Sequence, residues 1–286
     1  MLTIMRYSLK RSLGQILGWG LSLALLAVYI VLIYDAFSGT QEQYMELLKV
    51  YPPELMAAFG GTADLFSPPG YLNFTFFSYT TLVIGFYAVL AGSGLLVEDE
   101  ENGKLDLVLA HPIRRSEFFF GRVLAMILTV LSMLVITWLG FVATIPSTTL
   151  EINPVEMALP LLDLFLILLL FGALALLLSM LLPSRRMAAT WAGLALVGSY
   201  FITTLARLDE KIKAVEKFSP LHYSKGGYAI QGLEWDWVLG LAGLAVICIV
   251  LAWWRFERRD IRVAGEGGWR LPFNRKGAGV RNRVRV

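Results

Sequence analysis

Long apolar runs separated by short polar links dominate the chain. Six of them, at about 16–37, 74–97, 118–145, 157–182, 188–206 and 237–254, reach the roughly 20 residues that a helix needs to cross a bilayer core. A transmembrane barrel would instead show strands of about ten residues with alternating polarity. The run LLDLFLILLLFGALALLLSMLL (161–182) does not alternate. The pattern therefore predicts an all-α integral membrane protein with six spans. Ahead of the first span, MLTIMRYSLKRSLGQ (1–15) places Leu2, Met5, Leu9 and Leu13 at helical spacing and Arg6, Lys10 and Arg11 in other directions. This predicts an amphipathic helix lying at the membrane surface. The first apolar run is too long for the core of a signal peptide and is expected to remain as a helix.

The links differ in character. Residues 38–73 open with a short helical pattern, Gln41 to Val50, and then become rich in proline and glycine, which predicts irregular structure. Residues 146–156 read as a short turn. Residues 207–236 hold a possible amphipathic helix from Leu208 to Phe218, ended by Pro220, with Trp235 and Trp237 placed for the headgroup boundary. The link from Glu98 to Arg122 is a dense charged island. Glu98, Asp99, Glu100 and Glu101 suit a helix N-terminus. Leu105, Val108 and Leu109 then form a short apolar stripe, Pro112 stops the helix, and Arg114 and Arg115 lead into the third span. An apolar stripe outside the membrane needs cover, from the membrane surface or from a partner's groove.

Composition agrees with the pattern. Of 286 residues, 57% are hydrophobic and 16% charged, with a mean hydropathy of +0.64. Charge sets the orientation, because Lys and Arg collect on the cytoplasmic side. Nineteen of the 25 basic residues fall on the side of the two termini, the charged island and the 183–187 link. Both termini are therefore expected in the cytoplasm. Residues 1–262 read as the membrane domain, and 263–286 as a basic, flexible cytoplasmic tail able to touch anionic lipid. Topology already explains that basic flank, so no nucleic-acid partner is expected.

The chemistry of catalysis is sparse. The two histidines, His111 and His222, fall on opposite sides of the predicted membrane, and the single cysteine, Cys248, lies inside the last span. The sequence contains no HExxH, GxSxG or GxxxxGK[ST] pattern, so no metal, catalytic or phosphate-loop site is assigned. Asp163, in the fourth span after Pro160, reads as a helix-end carboxylate reaching for water, with a functional role as the alternative. Small and hydroxylated residues in the second and fifth spans serve mainly close helix packing. Lining of a substrate path by Thr80, Thr81, Ser93, Thr190, Ser199 and Thr203 is the sharper alternative.

The island, EDEENG-KLDLVLAHP-IRRSEFFFGR, resembles the corresponding segment of the type-2 (ABC-2-like) permeases of ATP-binding-cassette transporters. It sits between the second and third spans, as in that family. Phe256-Glu-Arg-Arg-Asp-Ile261 resembles the ending of the last span in these permeases, and Ser219-Pro220-Leu221 matches the last external loop. Lys104 and Arg122 depart mildly from the pattern. The resemblance implies a multi-pass permease of the inner (plasma) membrane, acting as an exporter and not itself an enzyme. It implies a coupling helix that docks on a separate ATPase through Glu98, Asp99, Glu100, Glu101, Gly103, Lys104, Leu105, Val108, Leu109, Pro112, Arg114 and Arg115. It also implies two ATPase copies carrying ATP and Mg, a second permease subunit as homodimer or heterodimer, and a path facing the second and fifth spans. This chain itself would hold no cofactor. The rival readings are a non-transporting membrane scaffold or sensor, and a secondary carrier. The substrate is not readable from sequence.

Overall fold

The structure is a computed structural model that describes residues 1–39, 52, 67–101, 113–206 and 211–258. Helices α1 (Leu2–Arg11) and α2 (Leu13–Ser38) come first. After them, α3 (Pro68–Leu72) runs through a π-helical turn (Asn73–Phe77) into α4 (Ser78–Gly94). The short α5 (Val97–Glu101) precedes α6 (Arg115–Thr144), α7 (Ala158–Leu181) and α8 (Arg185–Leu205). A single turn, α9 (Lys213–Glu216), two 3-10 turns (Pro220–Tyr223 and Gly226–Gln231) and α10 (Trp235–Arg258) complete the order. Among the described residues, six helical segments are long and apolar enough to cross a membrane, from Leu13–Phe37 to Trp235–Arg258. No strand occurs among the described residues.

Two predicted details change. The second span begins earlier than expected, because Pro68 and Pro69 start a helix instead of breaking one. Their missing amides cost nothing in a first turn, and the Ser67 hydroxyl caps that turn by accepting from the Gly70 amide at 3.2 Å. In the loop before α10, the described part of the expected Leu208–Phe218 helix holds only the single turn α9, followed by two 3-10 turns. The second 3-10 turn folds back against α3 and α7, while the first packs against α8 and α10. The predicted helix at Gln41–Val50 and the tail 263–286 lie outside the described residues, as does the start of the predicted Leu208–Phe218 helix.

The core is built around α7, whose apolar window is 67% buried, against 28% for α8 and 22% for α10. It packs against α4, α8 and α10, while α2 packs along α6. Close approach of α4 and α7 depends on Gly92, where a Cβ would lie 2.1 Å from the Gly172 carbonyl oxygen. In lipid, where apolar burial supplies little drive, such backbone contact is a main source of helix association. One large cluster joins α4, α6, α7 and α10 on the N-terminal side, centred on Phe118, Phe119 and Phe171. A second, at the opposite end, joins α2, α3, α6 and α7 around Phe76, Phe77 and Phe141.

Candidate functional site

Two of the four residues at the acidic end of the island turn away from solvent. α5 carries Asp99 and Glu100 into the protein, where they are 5% and 8% exposed. Asp99 pairs with Arg122 of α6 and, at 3.4 Å, with Arg11 of α1. Glu98 lies 3.2 Å from Arg185 and 3.9 Å from Arg11. Glu101 accepts from the Arg185 backbone amide at 3.3 Å, at the N-terminus of α8, where a negative charge complements the positive end of the helix dipole. Three carboxylates on one turn thus join α1, α6 and α8. Gly94 makes room for this, since a Cβ there would sit 2.7 Å from the Arg185 guanidinium carbon.

Of the other predicted docking residues, Arg114 is exposed at the N-cap of α6 and Arg115 is half-buried in its first turn. Gly103, Lys104, Leu105, Val108, Leu109 and Pro112 lie outside the described residues. Sequence reasoning missed the basic half of the network, Arg11 and Arg185. The signal was present, because both fall on the island's side in the charge count and match its excess of acid.

The hydroxyl positions do not form one row. Thr81 and Thr203 line a polar cavity of about 80 Å³ at the end opposite the island, together with Asn73, Ser78 and Ser224. Thr203 shares a 2.9 Å hydrogen bond with Ser219, whose hydroxyl also reaches the Ser199 carbonyl at 3.1 Å. Thr80 and Ser93 are buried, and Ser93 donates to its own helix at Leu90. Thr190 is exposed on the island side and donates to Arg186. Three of the six, Thr81, Ser93 and Thr190, donate to backbone carbonyls three or four residues earlier in the chain.

The expectation that Asp163 reaches for water is overturned. It is 2% exposed and accepts from the Ser224 hydroxyl at 2.7 Å and the Gly226 amide at 3.0 Å. Beside it, Asn73 Oδ1 accepts from the Gly227 amide at 3.1 Å. The π-helical turn brings Asn73 to this place, and a φ of +54° at Gly226 aims both loop amides inward. The two side chains clasp the returning loop to the bundle. Asp163→Ala leaves two donors unpaired, and bonds to a charged acceptor contribute about 1.5–3 kcal/mol. Amide exchange over 219–231 is expected to quicken by at least about tenfold; unchanged exchange would rule out the clasp.

Six helices long and apolar enough to cross a membrane, an ion-paired charged turn between the second and third, and a loop folded back on the bundle before the sixth define a multi-pass helical membrane protein. The chain belongs to the ABC-2 family transporter proteins, whose family profile matches residues 2–261. No curated protein matches it. Membership makes it the membrane permease subunit of an ABC transporter, which is not itself catalytic. Among the described residues no group of His, Cys, Asp and Glu is arranged to hold a metal ion.

Proposed function

We propose that the chain is the permease of an ATP-driven exporter in the cell's inner membrane, with both termini in the cytoplasm and the island as its coupling element. The observation that carries this is the attachment of α5 to three separate helices through Glu98, Asp99 and Glu101. A force applied to the segment after Glu101 would pass directly into α1, α6 and α8. Leu105, Val108 and Leu109 would fill a groove on a cytoplasmic ATPase, which supplies ATP and Mg, with the exposed Arg114 beside them. Two permeases and two ATPases would form the working unit. The exposed apolar faces of α4 (Tyr79, Val83, Phe86) and α8 (Trp191, Leu194, Phe201) suit a path or a subunit contact between permeases.

The test is the double substitution Leu105→Asp with Leu109→Asp. Co-purified ATPase is expected to fall at least about tenfold while the permease still inserts. Undiminished co-purification with normal ATP turnover would remove the coupling assignment.

A further inference from the structure

A space of about 540 Å³ lies on the island side of the bundle, inside the roughly 300–1,000 Å³ range of small-molecule sites. α4 turns one stripe towards it: Val83, Phe86, Tyr87, Leu90, Ala91 and Gly94, at intervals of three and four. At 1.5 Å per residue this stripe is about 16 Å long. α6 contributes Arg122, Ala125, Met126 and Thr129, again a single face, and α2 contributes Gln15 and Trp19. The lining is graded. One end gathers Arg11, Glu98, Asp99, Arg122 and Arg185. Thr129 follows about 10 Å further along α6 than Arg122. Val83, Phe86 and Leu90 form an apolar side and are 50%, 42% and 53% exposed.

Unmet polar groups lie within the residues that line this space. Ser8 Oγ and Thr129 Oγ1 are in residues only 5% and 3% exposed, and neither has a hydrogen-bond partner. Arg122 Nε has none either, although the other end of its guanidinium pairs with Asp99. Buried hydroxyls seldom stay unbonded, so two of them in the residues lining one space point to an occupant that turns them towards itself. The occupant's chemistry follows from the grading. Three arginines against two carboxylates leave little net charge, so a simple anion would meet Glu98 and Asp99 as well as the arginines. A head bearing both charges meets neither conflict: its phosphate would turn to the half-exposed Arg11 and Arg185, its ammonium to the half-exposed Glu98. Ester oxygens further in reach Thr129, and acyl chains run along Val83 and Phe86.

We propose that this space binds a zwitterionic phospholipid, head at the charged end and chains along α4. Binding stands on this chain alone; only the step from binding to movement rests on the transport reading. The test titrates the purified full chain in detergent with dihexanoyl phosphatidylethanolamine, with its phosphatidylglycerol counterpart, and with chain-free glycerophosphoethanolamine. Saturable binding of the first is expected, with the other two weaker by about tenfold. Ser8→Ala with Thr129→Val is expected to weaken binding about tenfold while leaving thermal unfolding unchanged or raised, because it deletes unbonded groups. If that variant is not recovered folded, Leu90→Trp, at a site 53% exposed, is expected to block the apolar side instead. Equal binding by variant and wild type, tighter phosphatidylglycerol, or full affinity for the chain-free head would each overturn the proposal. So would a Phe86→Cys disulfide between two copies that forms undiminished in saturating lipid, since a second copy would then cover this side. Loss of the ATPase partnership alone leaves these titrations decisive.

Discussion

Gly92→Leu is expected to abolish recovery of folded protein, and Gly92→Ala to reduce it severely. The cause is the α4–α7 crossing. A Cβ on residue 92 would lie 2.1 Å from the Gly172 carbonyl oxygen, 2.8 Å from its carbon and 3.0 Å from its Cα. Every one of these obstacles is backbone, so no rotamer change can relieve the overlap. Overpacking a core that can adjust costs about 1–3 kcal/mol; here the two helices must part along their length. The separation would also disturb Ala88, Phe171 and Leu176, which are at most 2% exposed around the crossing. Gly240→Leu on α10 is the matched control, because nothing lies within 4 Å of a Cβ there. The measurement is the monodisperse fraction after extraction, with the thermal midpoint of whatever remains. Wild-type recovery of Gly92→Leu would show that α4 and α7 do not cross this closely.

Small residues in the second span were visible in the sequence as packing elements, Gly92 among them, but their partner was not. Which glycine on another span meets Gly92 depends on how two helices are rotated and crossed, and neither quantity leaves a local trace. The spans themselves were legible for the opposite reason. Bilayer thickness fixes a minimum apolar length, so segments such as 161–182 declare themselves without any tertiary information. Proline misled at Pro68 and Pro69, because the same residue ends one helix and starts the next, and only the Ser67 cap decides between them.

The polar sites divide in the same way. Asp163 was conspicuous as a charge inside a span, yet its role came from Ser224 and Gly226, more than 60 positions away. Asn73 gave no signal at all, since its orientation arises from a π-helical turn that no periodicity marks. Glu98 to Glu101 looked like a surface for another protein. Asp99 and Glu100 are buried, and Glu98 and Asp99 pair with Arg11, Arg122 and Arg185, so this end of the island holds the chain together. Charge of both signs on one side of the membrane was readable; which charges meet was not.

That pairing makes a sharp prediction at Asp99 and Arg122. Asp99→Ala is expected to destabilise the protein by about 3–5 kcal/mol, the usual cost of leaving one member of a buried pair uncompensated. Both side chains are well buried, at 7% and 12% exposure, so solvent does little to screen the orphaned charge. Arg122→Met is expected to cost less than Asp99→Ala, because Arg11 remains 3.4 Å from the carboxylate and keeps it paired. The double variant Asp99→Leu/Arg122→Met should recover most of the loss, since replacing a buried pair by apolar groups of similar size is often near neutral. A double-mutant cycle on thermal or denaturant stability measures the coupling. Strictly additive single losses would mean that the two side chains act independently. The cycle also separates folding from energy transfer. If the apolar pair restores stability but leaves ATP hydrolysis by the partner uncoupled from transport, the ion pair transmits force. If transport returns with stability, the pair only holds α5 in place, and Glu98 and Glu101 at the start of α8 carry the motion.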